Sequence, residues 1–147
     1  MKKPVLFATD FSRLSLSAFP HAVAAARREK AERVILHVLP PPVTGDALQY
    51  VPAMMYEQMK AAVVRQAEKK LEGLRAKALR SRVRARQILS EGLAANEILR
   101  SSRALGARLV VLGTHGRSGL TGLLLGSVAM QVIGGARCPV MTVRSTR

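Results

Sequence analysis

The sequence predicts an α/β protein: a single open five-stranded parallel sheet with helices on both faces. Two observations predict it. Short apolar runs alternate with longer segments at helical spacing, in the order β-α-β-α-β-α-β-α-β. Such alternation builds a parallel sheet whose crossover helices cover it on both sides. A glycine-rich loop, finally, follows one apolar run and leads into a helix-like segment, a placement typical of strand-to-helix loops at a binding crevice.

The elements follow in order. Residues 4–9 (PVLFAT) are a short apolar run ending at Asp10 and read as a buried strand. Asp10 and Ser12 both suit a helix cap. Leu14, Ala18, Ala22 and Ala25 recur at helical spacing, so the first helix is expected to run on through Lys30. Residues 34–39 (VILHVL) form the second strand, closed by Pro40, Pro41 and Pro42; residues 40–52, with four prolines and Gly45, form a loop. Met55, Met59, Val63, Ala67, Leu71, Leu74 and Ala78 mark a helix over 54–79. Residues 82–89 (RVRARQIL) alternate basic and mostly apolar side chains, the pattern of a strand with one exposed face. Glu91-Gly92 is a turn, 94–105 a helix, and Gly106 its C-terminal stop. Residues 108–112 are the fourth strand, Ser127 to about Gly134 a helix, and 139–144 (PVMTVR) the last strand.

At 147 residues the chain is expected to form one domain over 1–147. Its hydrophobic content of 48% argues against disorder. Aromatic content is only 3%, with no Trp, so the core must be aliphatic. The one cysteine, Cys138, cannot close an internal disulfide and reads as a small buried residue, which points to a reducing, cytoplasmic setting. Lys2 and Lys3 resemble the start of a signal peptide, but Asp10 and Arg13 interrupt its apolar stretch. Residues 118–136 carry no charge, yet five glycines and a Gln make them a poor membrane span. The net charge of +15 attracts anions without defining a site.

The motif with chemical content is Gly113-Thr114-His115-Gly116, then Gly126-Ser127. Glycines let backbone N–H groups approach an anion closely. A helix beginning at Ser127 would aim its positive dipole end into the same space. The combination reads as a phosphate cradle at the carboxyl end of a strand. Neither the Walker spacing nor the dinucleotide-binding Gly-x-Gly-x-x-Gly is present.

This spacing, Gly-x2-Gly-x9-Gly-Ser, resembles the signature of the universal stress protein family in its ATP-binding class. The resemblance covers essentially the whole chain, from VLFATDFS and LHVLP through VVLGTHGRSGL and LLLGSVAMQVI to CPVMTVR. It implies a Rossmann-like fold of the adenine nucleotide alpha hydrolase kind. It further implies that Asp10 bonds the ribose or adenine, beside a wall of Ala8 and Thr9. Val38 would meet adenine through its backbone, and Leu112 and Gly113 would line the ribose. His115, Gly116, Gly126, Ser127 and Val128 would hold the phosphates mainly through N–H groups, with Arg117 close enough for a phosphate contact. Mg²⁺ would be held chiefly by the phosphates, Ser127 and water. Chains of this kind commonly form homodimers through the last strand, here Val140 to Arg144.

His37 and His21 read as packed or surface residues rather than ligands. Asp10 is the only carboxylate near the motif, so nucleotide binding with at most slow hydrolysis is expected, in a stress-related regulatory role. A slow ATPase is one alternative. The other starts from residues 65–86, which hold nine Lys or Arg and two Glu. Arg80, Arg82, Arg84 and Arg86 would share one face of a strand, either as a solvated surface or as a contact for nucleic acid or acidic partners.

Overall fold

The computed structural model describes residues 2–116 and 125–145. Its five strands are β1 (Val5–Ala8), β2 (Arg33–Leu39), β3 (Ala85–Glu91), β4 (Leu109–Gly113) and β5 (Val140–Val143). They form one open sheet in the order β3-β2-β1-β4-β5, and every ladder is parallel. The helices are α1 (Arg13–Leu16), α2 (Phe19–Arg28), α3 (Ala53–Arg80), α4 (Ala94–Ala104) and α5 (Ser127–Gly135), with a 3₁₀ turn at Gly45–Leu48.

The strand period of two sorts the core onto two faces. Val5, Phe7, Ile35 and Val111 pack under α2 and α3, against Ala22, Ala26, Leu71 and Leu74. Leu6, Ala8, Val34, Leu36, Val110 and Leu112 pack under α4 and α5, against Ile98, Ala129 and Val132. Strand order reverses between β1 and β4, so their carboxyl ends diverge into opposite crossovers and leave a crevice there.

Two elements differ from the sequence expectation. The first helix is two helices, broken at Ser17-Ala18. Ser17 Oγ donates to the Leu14 carbonyl at 2.6 Å and competes with helix continuation. Pro20, lacking an N–H, sits in the first turn of α2, where that loss costs nothing.

The third strand begins at Ala85, not Arg82. Arg82 instead terminates α3 in a left-handed conformation, φ 57°. Its N–H bonds Leu79 O at 2.8 Å and the Val83 N–H bonds Ala78 O at 3.1 Å, a Schellman motif. Arg80, Arg82, Arg84 and Arg86 therefore do not share a strand face: Arg80 is the last residue of α3, Arg82 is in the turn, and Arg86 alone lies within β3. Alternation of Arg with small residues was a false strand signal there, because the helix stop used a residue other than glycine.

Candidate functional site at the strand-order reversal

The β1–α1 connection is built from its own side chains. Thr9 continues β1 by donating its N–H to Leu36 O. Its hydroxyl accepts the Phe11 N–H at 2.9 Å and meets the buried Ser15 hydroxyl at 2.8 Å. Asp10 Oδ1 accepts the Ser12 N–H at 2.9 Å, and Ser12 in turn caps α1 by accepting the Ser15 N–H at 3.1 Å. Of the two cap candidates, Ser12 is thus the N-cap and Asp10 stabilises the turn before it. Phe11 has φ 64°, a left-handed residue in the turn between β1 and α1. His37 is buried and donates from Nδ1 to the Thr9 carbonyl at 2.8 Å, which sets its tautomer. Its ring lies 4.3 Å from that of Phe11. His21 is exposed on α2.

Across the crevice, the Thr114 N–H extends the β4–β5 ladder to Val143 O, and the Gly126 N–H bonds Thr114 O at 2.8 Å. That second bond brings the start of α5 back beside the end of β4. A side chain at any motif glycine would meet the protein itself. A Cβ at Gly113 would lie 3.0 Å from Leu14 O and Ser15 Cα, at Gly126 3.1 Å from Thr114 O, and at Gly116 2.6 Å from Asp10 Oδ2. The glycines thus bring the two loops into close contact. Among the described residues no side chain caps α5: its N-cap is Gly126, and Ser127 and Val128 open its first turn.

These loops enclose a cavity of about 210 Å³. Ala8, Thr9, Asp10, Val38, Leu112, Gly113, His115, Gly116, Gly126, Ser127 and Val128 all line it. Arg117 lies outside the described residues. Ser15, Ala94, Ile98 and Thr114 line it too and were not singled out in the sequence. Thr114 sits inside the glycine motif and could have been found there. Ile98 could not, since a core position on a helix carries no mark of facing a cavity. Among the described lining residues Asp10 is the one carboxylate, and none is Lys or Arg. His115 Nδ1 pairs with the Thr114 hydroxyl at 3.0 Å. Among the described residues there is no cluster of three or more His, Cys, Asp or Glu able to hold a metal, and no helix long and apolar enough to cross a membrane.

An open parallel sheet with its crevice at the strand-order reversal, walled by a glycine loop and a helix start, defines the doubly wound α/β class. Within that class the chain belongs to the universal stress protein family, whose sequence model matches residues 1–144. It is 36% identical to universal stress protein YxiE of Bacillus subtilis over 98% of this chain and 100% of that protein. The solved structure of MJ0577 from Methanocaldococcus jannaschii superposes with a TM-score of 0.84 at 25% identity, covering 100% of this chain and 99% of that one. A universal stress protein from Archaeoglobus fulgidus, solved in complex with dAMP, has the same fold at a TM-score of 0.72 and 20% identity, covering 97% and 98%.

Proposed function

We propose that this protein is an ATP-binding universal stress protein, and that nucleotide occupancy of the crevice regulates its partner binding or oligomeric state in the cytoplasm. The observation that carries this reading is the start of α5. Its first N–H groups have no side-chain cap among the described residues, and they open onto a cavity walled by glycines. Unpaired helix N–H groups and the positive dipole end are a ready site for phosphate. The dAMP complex of a protein with the same fold supports an adenine nucleotide as the occupant.

In this reading Ser127, Val128, Gly126, Gly116 and His115 hold phosphates, and Arg117 adds a contact. Leu112 and Gly113 flank the ribose, Asp10 accepts from ribose or adenine, and Val38 offers its backbone to the base beside Ala8 and Thr9. Mg²⁺ would enter with the phosphates and Ser127. One carboxylate in the lining supports binding over rapid turnover. β5 is an edge of the sheet and only half-buried, which supports pairing of two copies along Val140 to Arg144.

Ser127→Asp tests the cradle without threatening the fold. A carboxylate at the first position of a helix is favourable for the helix, by about 0.3–1 kcal/mol. The same charge repels a phosphate: unit charges ~4 Å apart near a protein surface interact by about 4 kcal/mol before salt screening. Titration calorimetry with ATP at physiological salt should show saturable binding, weakened on the order of a hundred-fold in Ser127→Asp, with the melting temperature held or raised. A folded wild-type protein that gives no binding heat would sink the reading.

A further inference from the structure

Each strand of the sheet is entered past a cation: Lys3 before β1, Lys30 before β2, Arg84 before β3, Arg108 before β4 and Arg137 before β5. All four ladders are parallel, so these five residues share one end of the molecule, opposite the crevice. All five are exposed. The returning helices end here as well, and α2, α3 and α4 all carry basic residues in their last turns.

Little acid offsets them. Glu29 pairs with Arg28 and with Arg108 at 2.7 Å, and Glu32 pairs with Arg86 at 3.1 Å. Residues 73–90 and 98–147 contain no Asp or Glu at all. Cations at helix C-termini complement the helix dipole, which accounts for those in the last turns. It also covers Arg137, one residue past the C-cap of α5, but does not reach Lys3 or Arg84, which lie beside strands rather than at a helix end.

Lys30 and Arg82 point the same way. Both stand at the left-handed position of a Schellman motif, with φ 48° and 57°. In each, as after α4, the next residue's N–H reaches back five residues: Ala31 to Ala26, Val83 to Ala78, Ala107 to Ser102. After α4 the left-handed residue is Gly106, φ 56°, the type that position favours. The other two turns hold a cation there against the backbone's preference.

We propose that the strand-entry end docks double-stranded nucleic acid through its phosphate backbone, without sequence preference and apart from the crevice. Strands ~4.8 Å apart make a row of five about 19 Å long, a length over which a duplex presents on the order of ten charges. Single strands are disfavoured as occupant: no Phe or Tyr lies in a strand-entry segment to stack a base. A membrane surface is disfavoured too, since the exposed Met54, Met55, Met59 and Val63 that could insert lie on the first half of α3, toward the other end.

The test is fluorescence anisotropy of the full chain with a labelled mixed-sequence DNA duplex of about 25 base pairs, from 50 to 250 mM salt. Six phosphate contacts would give a log–log salt slope of about −5. Lys30→Gly/Arg82→Gly/Arg84→Gln should flatten that slope by about 3 and weaken binding at least ten-fold at 100 mM salt. The two glycine changes adopt the backbone that Gly106 already uses, so the fold is preserved, which a thermal melt verifies. Arg65→Gln/Lys69→Gln, on the middle of α3, should cost less per charge. Absence of duplex binding, equal loss per charge in that control, or tighter binding to a single strand of the same length would overturn the proposal. So would tighter binding to phosphatidylserine vesicles or to polyglutamate.

Discussion

The two ends of the sheet handle charge in opposite ways. At the exit end, where strands finish and helices begin, the described residues lining the crevice are mostly uncharged, with one carboxylate and no Lys or Arg. At the entry end, where helices finish and strands begin, cations precede every strand. The parallel topology sets this contrast. It gathers helix N-termini, with their positive dipole ends, at the exit, and helix C-termini at the entry. Backbone N–H groups at the exit thus already favour an anion, whereas side-chain charge at the entry stands over negative dipole ends. The net charge of +15 and the candidate phosphate cradle are thus separate properties of the molecule.

The largest effect that would break this contrast is at Gly113. Its Cβ direction runs into main-chain atoms, Leu14 O and Ser15 Cα, both at 3.0 Å. Backbone there cannot rotate away, so Gly113→Val should destabilise by about 3 kcal/mol, lowering the melting temperature by roughly 10 °C. At Gly116 the obstacle is the Asp10 carboxylate, a side chain that can turn if it gives up Ser12. Gly116→Ala should therefore cost only about 1 kcal/mol. Equal losses measured by thermal melts would mean that the exit end tolerates side chains better than its geometry says.

Arg33 sharpens the entry side. It is fully buried under α2, its guanidinium 4.2 Å from the Phe19 ring centroid, and none of its three nitrogens has a hydrogen-bond partner among the described residues. Burial pushes its pKa well below the usual guanidinium value, to about 10. Below about pH 10 both folded and unfolded chains carry the charge, so the fold bears the full desolvation cost. Above it the folded chain loses the proton first, and the cost shrinks as the pH climbs toward the higher value of the unfolded chain. Arg33→Met should stabilise the protein by about 2 kcal/mol at pH 7, and denaturant melts of the pair should converge as pH rises past 10. An Arg33→Met protein less stable at pH 7 would show that contact with Phe19 outweighs desolvation.

Thr9→Val comes next, back at the exit end. It removes a hydroxyl that accepts from Phe11 and meets the buried Ser15, leaving both without that partner. A loss of about 1–2 kcal/mol in a denaturant melt is expected. A neutral result would mean that the left-handed turn at Phe11 holds without it.

The sheet, its order of elements and the glycine motif were legible in the sequence, because strand burial, helical spacing and glycine each leave a local mark. Residues such as Val128 and Leu112 came out lining one cavity because the motif and the strand end fix their places along the chain. The break at Ser17-Ala18 was missed because Leu14, Ala18 and Ala22 keep helical spacing straight through it; its marks are Pro20, which suits the first turn of a new helix, and the hydrogen bond from Ser17 to Leu14. The start of β3 was lost for the opposite reason. A helix stop is read from glycine, and Arg82 fills that position with a cation. The concentration of cations at the strand entries was also invisible, since residues scattered from Lys3 to Arg137 meet only through the parallel topology.

The smallest effect is at Arg82 itself, and it bears most directly on why the two ends differ. A left-handed conformation disfavours a residue with a Cβ by about 1–2 kcal/mol relative to glycine. Removing a cation from the end of α3 gives back about 0.3–1 kcal/mol of favourable dipole interaction. Arg82→Gly should therefore stabilise by about 0.5 kcal/mol, and Gly106→Arg, the same exchange reversed after α4, should destabilise by a similar amount. Thermal melts at low and high salt separate the two contributions, because the dipole interaction is screened and the backbone preference is not. If Arg82→Gly instead destabilises at low salt and becomes neutral at high salt, the cation is held there by the helix end. The entry-end charge would then be a consequence of folding. Stabilisation at both salt concentrations would mean the cation is kept at a cost to the fold, as a docking surface requires.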